Sequence, residues 1–199
     1  MEEVRYDGVT TNGLDKSPVL KVKRGELAKE FPMLRVAKAG DVGLDVAVAL
    51  PFKKGWEKKL TRYLDRCEFF HRKINQVKAS AIMHGYIKIK PGSRHLLPTD
   101  IKLEIPEGYW VAVEARSSTS KQSLIVPKGV IDEGYRGEIF AQILNVGKKS
   151  VKVYHGDRLV QLILQKNETN NLIIKEVDEL SASERGESGF GSSGKSAIR

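Results

Sequence analysis

One cysteine in 199 residues, Cys67, leaves no partner for an intrachain disulfide and no basis for a cysteine-built zinc cluster. Histidine is nearly as scarce. His71, His84, His95 and His155 are scattered, and no pair has metal-ligand spacing. Long apolar runs are missing too: Val42–Leu50 is broken by Asp45 and is far too short to span a bilayer. The first ten residues, MEEVRYDGVT, lack a basic segment followed by an apolar one, so no secretory leader is expected. Together these absences predict a soluble chain in a reducing, cytoplasmic setting, with no membrane partner.

Charge is what the chain has in excess. Its net charge is +9, with 40% hydrophobic and 30% charged residues, a composition that suits one globular domain with an added segment. A basic chain suits nucleic acid or a small polyanion such as a nucleotide. Two thirds of the excess sits in residues 51–80, where nine Lys/Arg face three acids. Apolar residues recur there at 56, 60, 63, 64, 67, 70 and 74, which predicts one long basic helix over about 54–79. Such a helix is either packed by its apolar stripe with a solvated basic face, or a contact surface for a partner. No recognised nucleic-acid-binding motif accompanies it, so a nucleic-acid partner is not expected.

Elsewhere the periodicity is two. Val19–Lys23, Leu44–Leu50, Tyr86–Lys90, Ile101–Ile105, Tyr109–Ala115, Ile139–Asn145, Val151–Val153 and Leu159–Leu164 read as short strands. Turn signals separate them, among them Pro91-Gly92, Pro106-Glu107-Gly108 and His155-Gly156-Asp157. Glu26–Glu30 reads as a helical turn stopped by Phe31-Pro32. The predicted class is all-β, a sandwich, jelly roll or barrel. The expected division is an extension over 1–16, a β domain over 17–180 carrying an insertion at 51–83, and a glycine-rich arm over 181–199.

The stretch Gly129–Glu138, GVIDEGYRGE, is a turn between two strands. It also holds a carboxylate, Asp132, at a strand end beside an aromatic ring, Tyr135, a workable place for a general base next to a small-molecule pocket. The tail reads as a flexible end rich in Ser and Gly. Its glycines surround one ring, Phe190, and follow Arg185, a composition that lets backbone N–H groups approach phosphate oxygens.

Five segments stand in order: AGDVGLDVAVA at 39–49, ARSSTS at 115–120, GVIDEGYRGE at 129–138, GDRLVQLIL at 156–164 and RGESGFGSSG at 185–194. This set resembles the five motifs of the trimeric dUTP diphosphatase (dUTPase) family, over about 19–50 and 84–194. The resemblance implies a distorted jelly roll (β-clip), a homotrimer with active sites between subunits, and Mg²⁺-dependent cleavage of dUTP to dUMP and pyrophosphate. It assigns Asp132 to the attacking water and Tyr135 to the floor beneath the deoxyribose. The backbone of 126–131, including Gly129, Val130 and Ile131, is assigned to the uracil edge. Arg116, Ser117, Ser118 and Gln161 fall to the phosphates, and Asp45 to the metal through water. Arg185, Ser192 and Ser193 of the arm contact the terminal phosphate, Phe190 stacks on uracil, and Gly191 is a further substrate-binding position. Arg158 is either a ligand contact or an ion-pair partner.

For several positions a purely structural reading stands beside the functional one. Asp45 would be an exposed strand aspartate, the serines of 117–118 a helix cap, and Gln161 a solvent-facing amide. Two rival functions share the fold. A dCTP deaminase, alone or bifunctional, uses an RSS motif as here, but needs a glutamate where this chain has Gln142, an amide unable to shuttle a proton. A dUTP-sensing module acting through the insertion 51–83, as in some phage proteins, is the second. A bacterial or phage-infected cell is the implied source.

Overall fold

The computed structural model describes residues 17–50 and 86–186. The basic helix expected over 54–79, the insertion 51–83 and the extension 1–16 lie outside the described residues. The chain divides into two compact units, Met1–Asn167 and Glu168–Arg199.

The first unit is built of strands. These are β1 (Lys21–Arg24), β2 (Leu44–Ala47), β3 (Tyr86–Ile89), β4 (Arg94–Glu104), β5 (Tyr109–Ala115), β6 (Leu124–Ile125), β7 (Gly129–Ile131), β8 (Glu138–Asn145), β9 (Val151–Tyr154) and β10 (Arg158–Lys166). One four-residue helix, α1 (Ser117–Ser120), and a 3₁₀ turn at Ala28–Glu30 are the other regular elements among the described residues of this unit. Two four-stranded sheets, ordered β1-β4-β8-β6 and β2-β10-β5-β7, and a two-stranded ribbon of β3 and β9 share the framework. Every strand pairing among the described residues is antiparallel. The all-β jelly-roll expectation therefore holds for the described residues.

The alternation in the sequence explains which face turns inward. Along β8, Ile139, Ala141 and Ile143 are fully buried, while the residues between them are only half-buried. Ile87 and Ile89 of β3, Val153 of β9, Leu97 and Leu103 of β4, Val111 and Val113 of β5, and Val160 and Leu162 of β10 close the same core. Each such side chain contributes ~1.5–3 kcal/mol on burial.

β4 is longer than its periodicity suggests. Only Ile101–Ile105 reads as strand, yet the element starts at Arg94 and runs through Pro98. The register with β8 shifts between Pro98 and Lys102, and Asp100 takes a left-handed φ of 55°. A proline is tolerated at such an irregularity because the ladder is already broken there. The freed backbone groups find a side chain instead. Glu138 Oε1 accepts the N–H of Thr99 at 3.1 Å and of Asp100 at 2.8 Å. The Thr99 hydroxyl donates to Ile139 O at 2.5 Å. Asp100 in turn accepts the N–H of Leu27 at 2.9 Å, at the start of the 3₁₀ turn. Gly25 must be a glycine here, since a Cβ would lie 2.0 Å from Asp100 Oδ1.

Asn145 ends β8 with no exposed surface. Its amide donates to Ile89 O and Lys149 O, both at 2.9 Å, and its carbonyl accepts the Gly147 N–H at 2.9 Å. One side chain thus ties β3 and the β8–β9 turn to β8. Asn145→Ala leaves the buried Ile89 carbonyl and two less buried backbone groups, Lys149 O and the Gly147 N–H, short of a partner and is expected to lower unfolding stability by about 2 kcal/mol in urea titration. A loss under ~1 kcal/mol would mean those groups find other partners.

Candidate functional site

β10 is an inner strand of its sheet, between β2 and β5. Gln161 stands opposite Asp45 on β2 and opposite Glu114 on β5, so three polar side chains lie abreast on a sheet whose alternate residues are buried. None of the three is solvent-free, and none is fully exposed.

Arg116 follows β5 and is fixed from several sides. Its backbone N–H donates to Leu159 O, and its Nε meets Asp45 Oδ1 at 2.5 Å. Nη1 reaches Arg158 O at 3.2 Å and Ser118 Oγ at 3.4 Å. Arg158 Nη1 lies 3.1 Å from the other Asp45 oxygen. Asp45 is therefore half-buried between two guanidinium groups rather than an exposed strand aspartate. Arg158 is the ion-pair partner that its position in the fourth segment allowed.

The serines do not cap α1. Arg116 occupies the N-cap position, and Ser117 and Ser118 are exposed. The turn is held instead by Thr119, fully buried, whose hydroxyl donates to Leu159 O at 2.6 Å. Gln161 is not a solvent-facing amide either: its Nε2 donates to Ala115 O at 3.0 Å. Room for it comes from Gly43, where a Cβ would lie 2.0 Å from Gln161 Oε1.

β7 is the outer strand of this sheet, with Gly129, Val130 and Ile131 opposite Val113, Ala112 and Val111. An outer strand turns alternate N–H and C=O groups away from its neighbour, and Val130 is 59% exposed. Gly129 allows the close approach, because a Cβ there would sit 3.2 Å from Val113 Cβ. Beyond β7 the chain turns through 132–135, with the Tyr135 N–H donating to Asp132 O at 3.0 Å. Asp132 is exposed, and among the described residues its carboxylate has no hydrogen-bond or ion-pair partner. The neighbouring Glu133 is used structurally, accepting the Gly108 N–H at 3.0 Å.

The Tyr135 hydroxyl donates to Glu138 O at 3.0 Å. Gly137 makes that possible: a Cβ would lie 2.2 Å from the hydroxyl. Glu138 thus serves both ends of the turn, its carbonyl holding Tyr135 and its carboxylate holding the β4 bulge. Residue-by-residue reading missed Thr119, Gly43, Gly137 and Glu138 as positioning residues. The adjoining Gly-Glu pair at 137–138 and the lone Thr in ARSSTS were their only traces.

The structure brings Asp45, Arg116, Ser118 and Gln161 together and sets Asp132 and Tyr135 apart from them. Asp132 follows Ile131, which pairs with Val111, whereas Arg116 lies at the other end of β5. Five residues of extended chain separate the two positions along the sheet, ~17 Å at the strand rise. Arg185 belongs to the second unit and is exposed; Phe190, Gly191, Ser192 and Ser193 lie outside the described residues.

A family model described as dUTPase matches residues 82–194. The chain belongs to the dUTPase family. A deoxyuridine 5'-triphosphate nucleotidohydrolase of Beijerinckia indica is 34% identical over 90% of this chain and 93% of its own length. The enzyme of that description from Caldanaerobacter subterraneus is 30% identical over 89% of this chain and 99% of its own. Among solved structures, Staphylococcus bacteriophage 80alpha dUTPase with dUPNHPP has a TM-score of 0.64 at 25% identity, covering 89% of this chain and 99% of that one.

No group of three or more His, Cys, Asp or Glu able to hold a metal occurs among the described residues. Asp45, the acid linked to metal by the family resemblance, has both oxygens engaged by arginines. Among the described residues the donor set builds no metal cage, and it fits an ion delivered on a polyphosphate, as Mg²⁺ commonly is. Asp45→Ala would leave Arg116 and Arg158 facing each other and is expected to lower stability by ~1.5–3 kcal/mol, as for hydrogen bonds to charged groups. Unchanged urea stability would show that the two ion pairs do not form in solution.

Proposed function

We propose that the protein hydrolyses dUTP to dUMP and pyrophosphate as a homotrimer, with each active site assembled from more than one chain. Family membership supports the reaction. The observation that carries the assembly is the separation along β5. Asp132 acts on water beside the α-phosphate, and Arg116, Ser117, Ser118 and Gln161 act on the phosphates. Both sets must reach one triphosphate within hydrogen-bond distance, yet one chain holds them ~17 Å apart. A neighbouring chain closes that gap.

In the proposed step Asp132 takes a proton from water as the water oxygen bonds to the α-phosphorus in line with the leaving group. The bond from that phosphorus to the bridging oxygen breaks, and pyrophosphate departs. Arg116, Ser117, Ser118 and Gln161 bind the phosphate oxygens and hold that line. The ring of Tyr135, tied down through Glu138, excludes a 2′-hydroxyl, so UTP is a poor substrate. Outward-turned backbone groups of Gly129, Val130 and Ile131 read the uracil edge, which disfavours dCTP; a close wall disfavours the methyl of dTTP. Mg²⁺, carried by the triphosphate, would neutralise its charge, with Asp45 as an acceptor of metal-bound water through lone pairs left by its arginines. The arm 181–199 closes the site: Arg185, Gly191, Ser192 and Ser193 on the terminal phosphate, Phe190 on the base.

A cytoplasmic location in a bacterial or phage-infected cell accords with this reading. Among the described residues no helix is long and apolar enough to cross a membrane. The insertion 51–83 remains a candidate surface for a protein partner, and the dUTPase from phage phi11 of S. aureus, a fold relative at 19% identity and TM-score 0.53, carries a species-specific insert. Deamination is the alternative chemistry. Gln142 stands opposite Leu96 on the β4–β8 pair and brings no acid to that position.

Pyrophosphate from dUTP, and no ammonia from dCTP, is the expected product pattern; ammonia from dCTP would install the deaminase instead. Asp132→Asn and Arg116→Ala should each abolish turnover while leaving folded oligomers. Co-refolded in equal amounts, they should regain activity, because about one site in four then draws both intact residues from different chains. Mixtures as inactive as their parents would place the two residues in a site within one chain.

A further inference from the structure

The ribbon of β3 and β9 carries a face that the hydrolytic reading does not use. Its register pairs Tyr86 with Tyr154, Ile87 with Val153, Lys88 with Lys152 and Ile89 with Val151. The isoleucines and Val153 are buried, so the tyrosines and lysines form the outward series. Tyr154 is 47% exposed, and both lysines are exposed. Lys90 continues the series past Ile89, and exposed Lys149 lies just before β9.

Two ammonium groups directly opposite each other destabilise a sheet. A comparable pair, Lys23 opposite Lys102, occurs on β1–β4. There Glu138 stands opposite Lys102, and Glu104 is two residues along the same strand. The ribbon has no such relief: among the described residues Lys88, Lys90, Lys149 and Lys152 have no salt bridge. The nearby carboxylate of Asp157 accepts the Tyr154 backbone N–H at 2.8 Å. Tyrosine rings complete the surface. Tyr86 and Tyr154 lie 5.6 Å apart between centroids and tilted by 56°, with Lys152 Nζ 4.3 Å from the Tyr86 centroid.

We propose that this outward face of the β3–β9 ribbon binds single-stranded nucleic acid. Lysines without acidic partners among the described residues suit the phosphate backbone, and rings on the same face suit unpaired bases. An acidic peptide would satisfy the lysines and leave the rings without a task. A duplex would hide its base faces from them. The same face of a second copy brings like charge and cannot neutralise it. None of these lysines and tyrosines belongs to the basic segment 51–80, which holds two thirds of the net positive charge.

The test is fluorescence anisotropy of the full-length protein with fluorescein-labelled oligothymidylate across a salt series. Each phosphate neutralised contributes about −0.7 to the slope of log affinity against log salt for single strands, so four lysines predict about −3. Lys88→Glu should weaken binding at least tenfold while raising Tm, because it converts a like-charge pair into an ion pair. Tyr154→Ala should weaken binding severalfold and leave the slope unchanged. Both variants should hydrolyse dUTP at the parental rate, which serves as the control for folding. Lys88→Glu and Lys152→Ala variants that bind like the parent would overturn the proposal. So would polyglutamate that displaces the labelled strand as well as unlabelled oligothymidylate does, since the face would then be a site for acidic protein.

Discussion

The register of β10 is the constraint on which the Asp45–Arg116–Gln161 cluster rests. One strand bonds to β2 on one side and β5 on the other, and so sets Gln161 between Asp45 and Glu114. Because side chains alternate across a strand, a slip of one residue would send Gln161 into the core and Val160 to the surface. The core enforces the register: Val160 and Leu162 are buried on either side of Gln161. Burying apolar neighbours therefore positions a polar group that contributes little to stability itself. The Arg158–Val160 irregularity lies at the end of β10 near Asp45, where a local departure from the ladder leaves Arg158 exposed and in reach of that carboxylate.

Close approach is the second theme. Gly43 leaves space for the Gln161 amide, and Gly137 leaves space for the Tyr135 hydroxyl. In neither case is the glycine's φ positive. The requirement is for volume rather than backbone freedom, which the chain order does not reveal because the neighbour in question need not be adjacent. Glu138 adds a link between distant parts. Its carbonyl takes the Tyr135 hydroxyl and its carboxylate satisfies the β4 bulge, so the turn at 132–135 and the 3₁₀ turn at Ala28–Glu30 share one support through Asp100.

Legibility followed periodicity. Tyr109–Ala115 was readable to the residue because its strand has turn signals before it and a polar segment after it. Leu124–Ile125 as a separate strand was not, since two residues carry no period. The early part of β4 was hidden by Pro98, which marks an interruption only where the ladder is otherwise intact. Among site residues, Asp132 and Tyr135 stood out by their turn chemistry. Asp45 was recognisable as an acid in the right place, but not as a carboxylate held by two arginines, since Arg116 is 71 residues away and Arg158 is 113.

The sequence by itself determined the all-β class and the family, because those depend on residue type, local alternation and the order of five short segments. Only the tertiary structure decided how the candidate site residues are grouped. Strand pairing put the Asp45, Arg116 and Gln161 side chains side by side from three separate stretches, and the same pairing drove Asp132 to the far end of β5. It also set Lys88 against Lys152 with no acid between. Each of these outcomes comes from long-range register, which hydrophobic burial selects for the chain as a whole and which no local run of residues encodes.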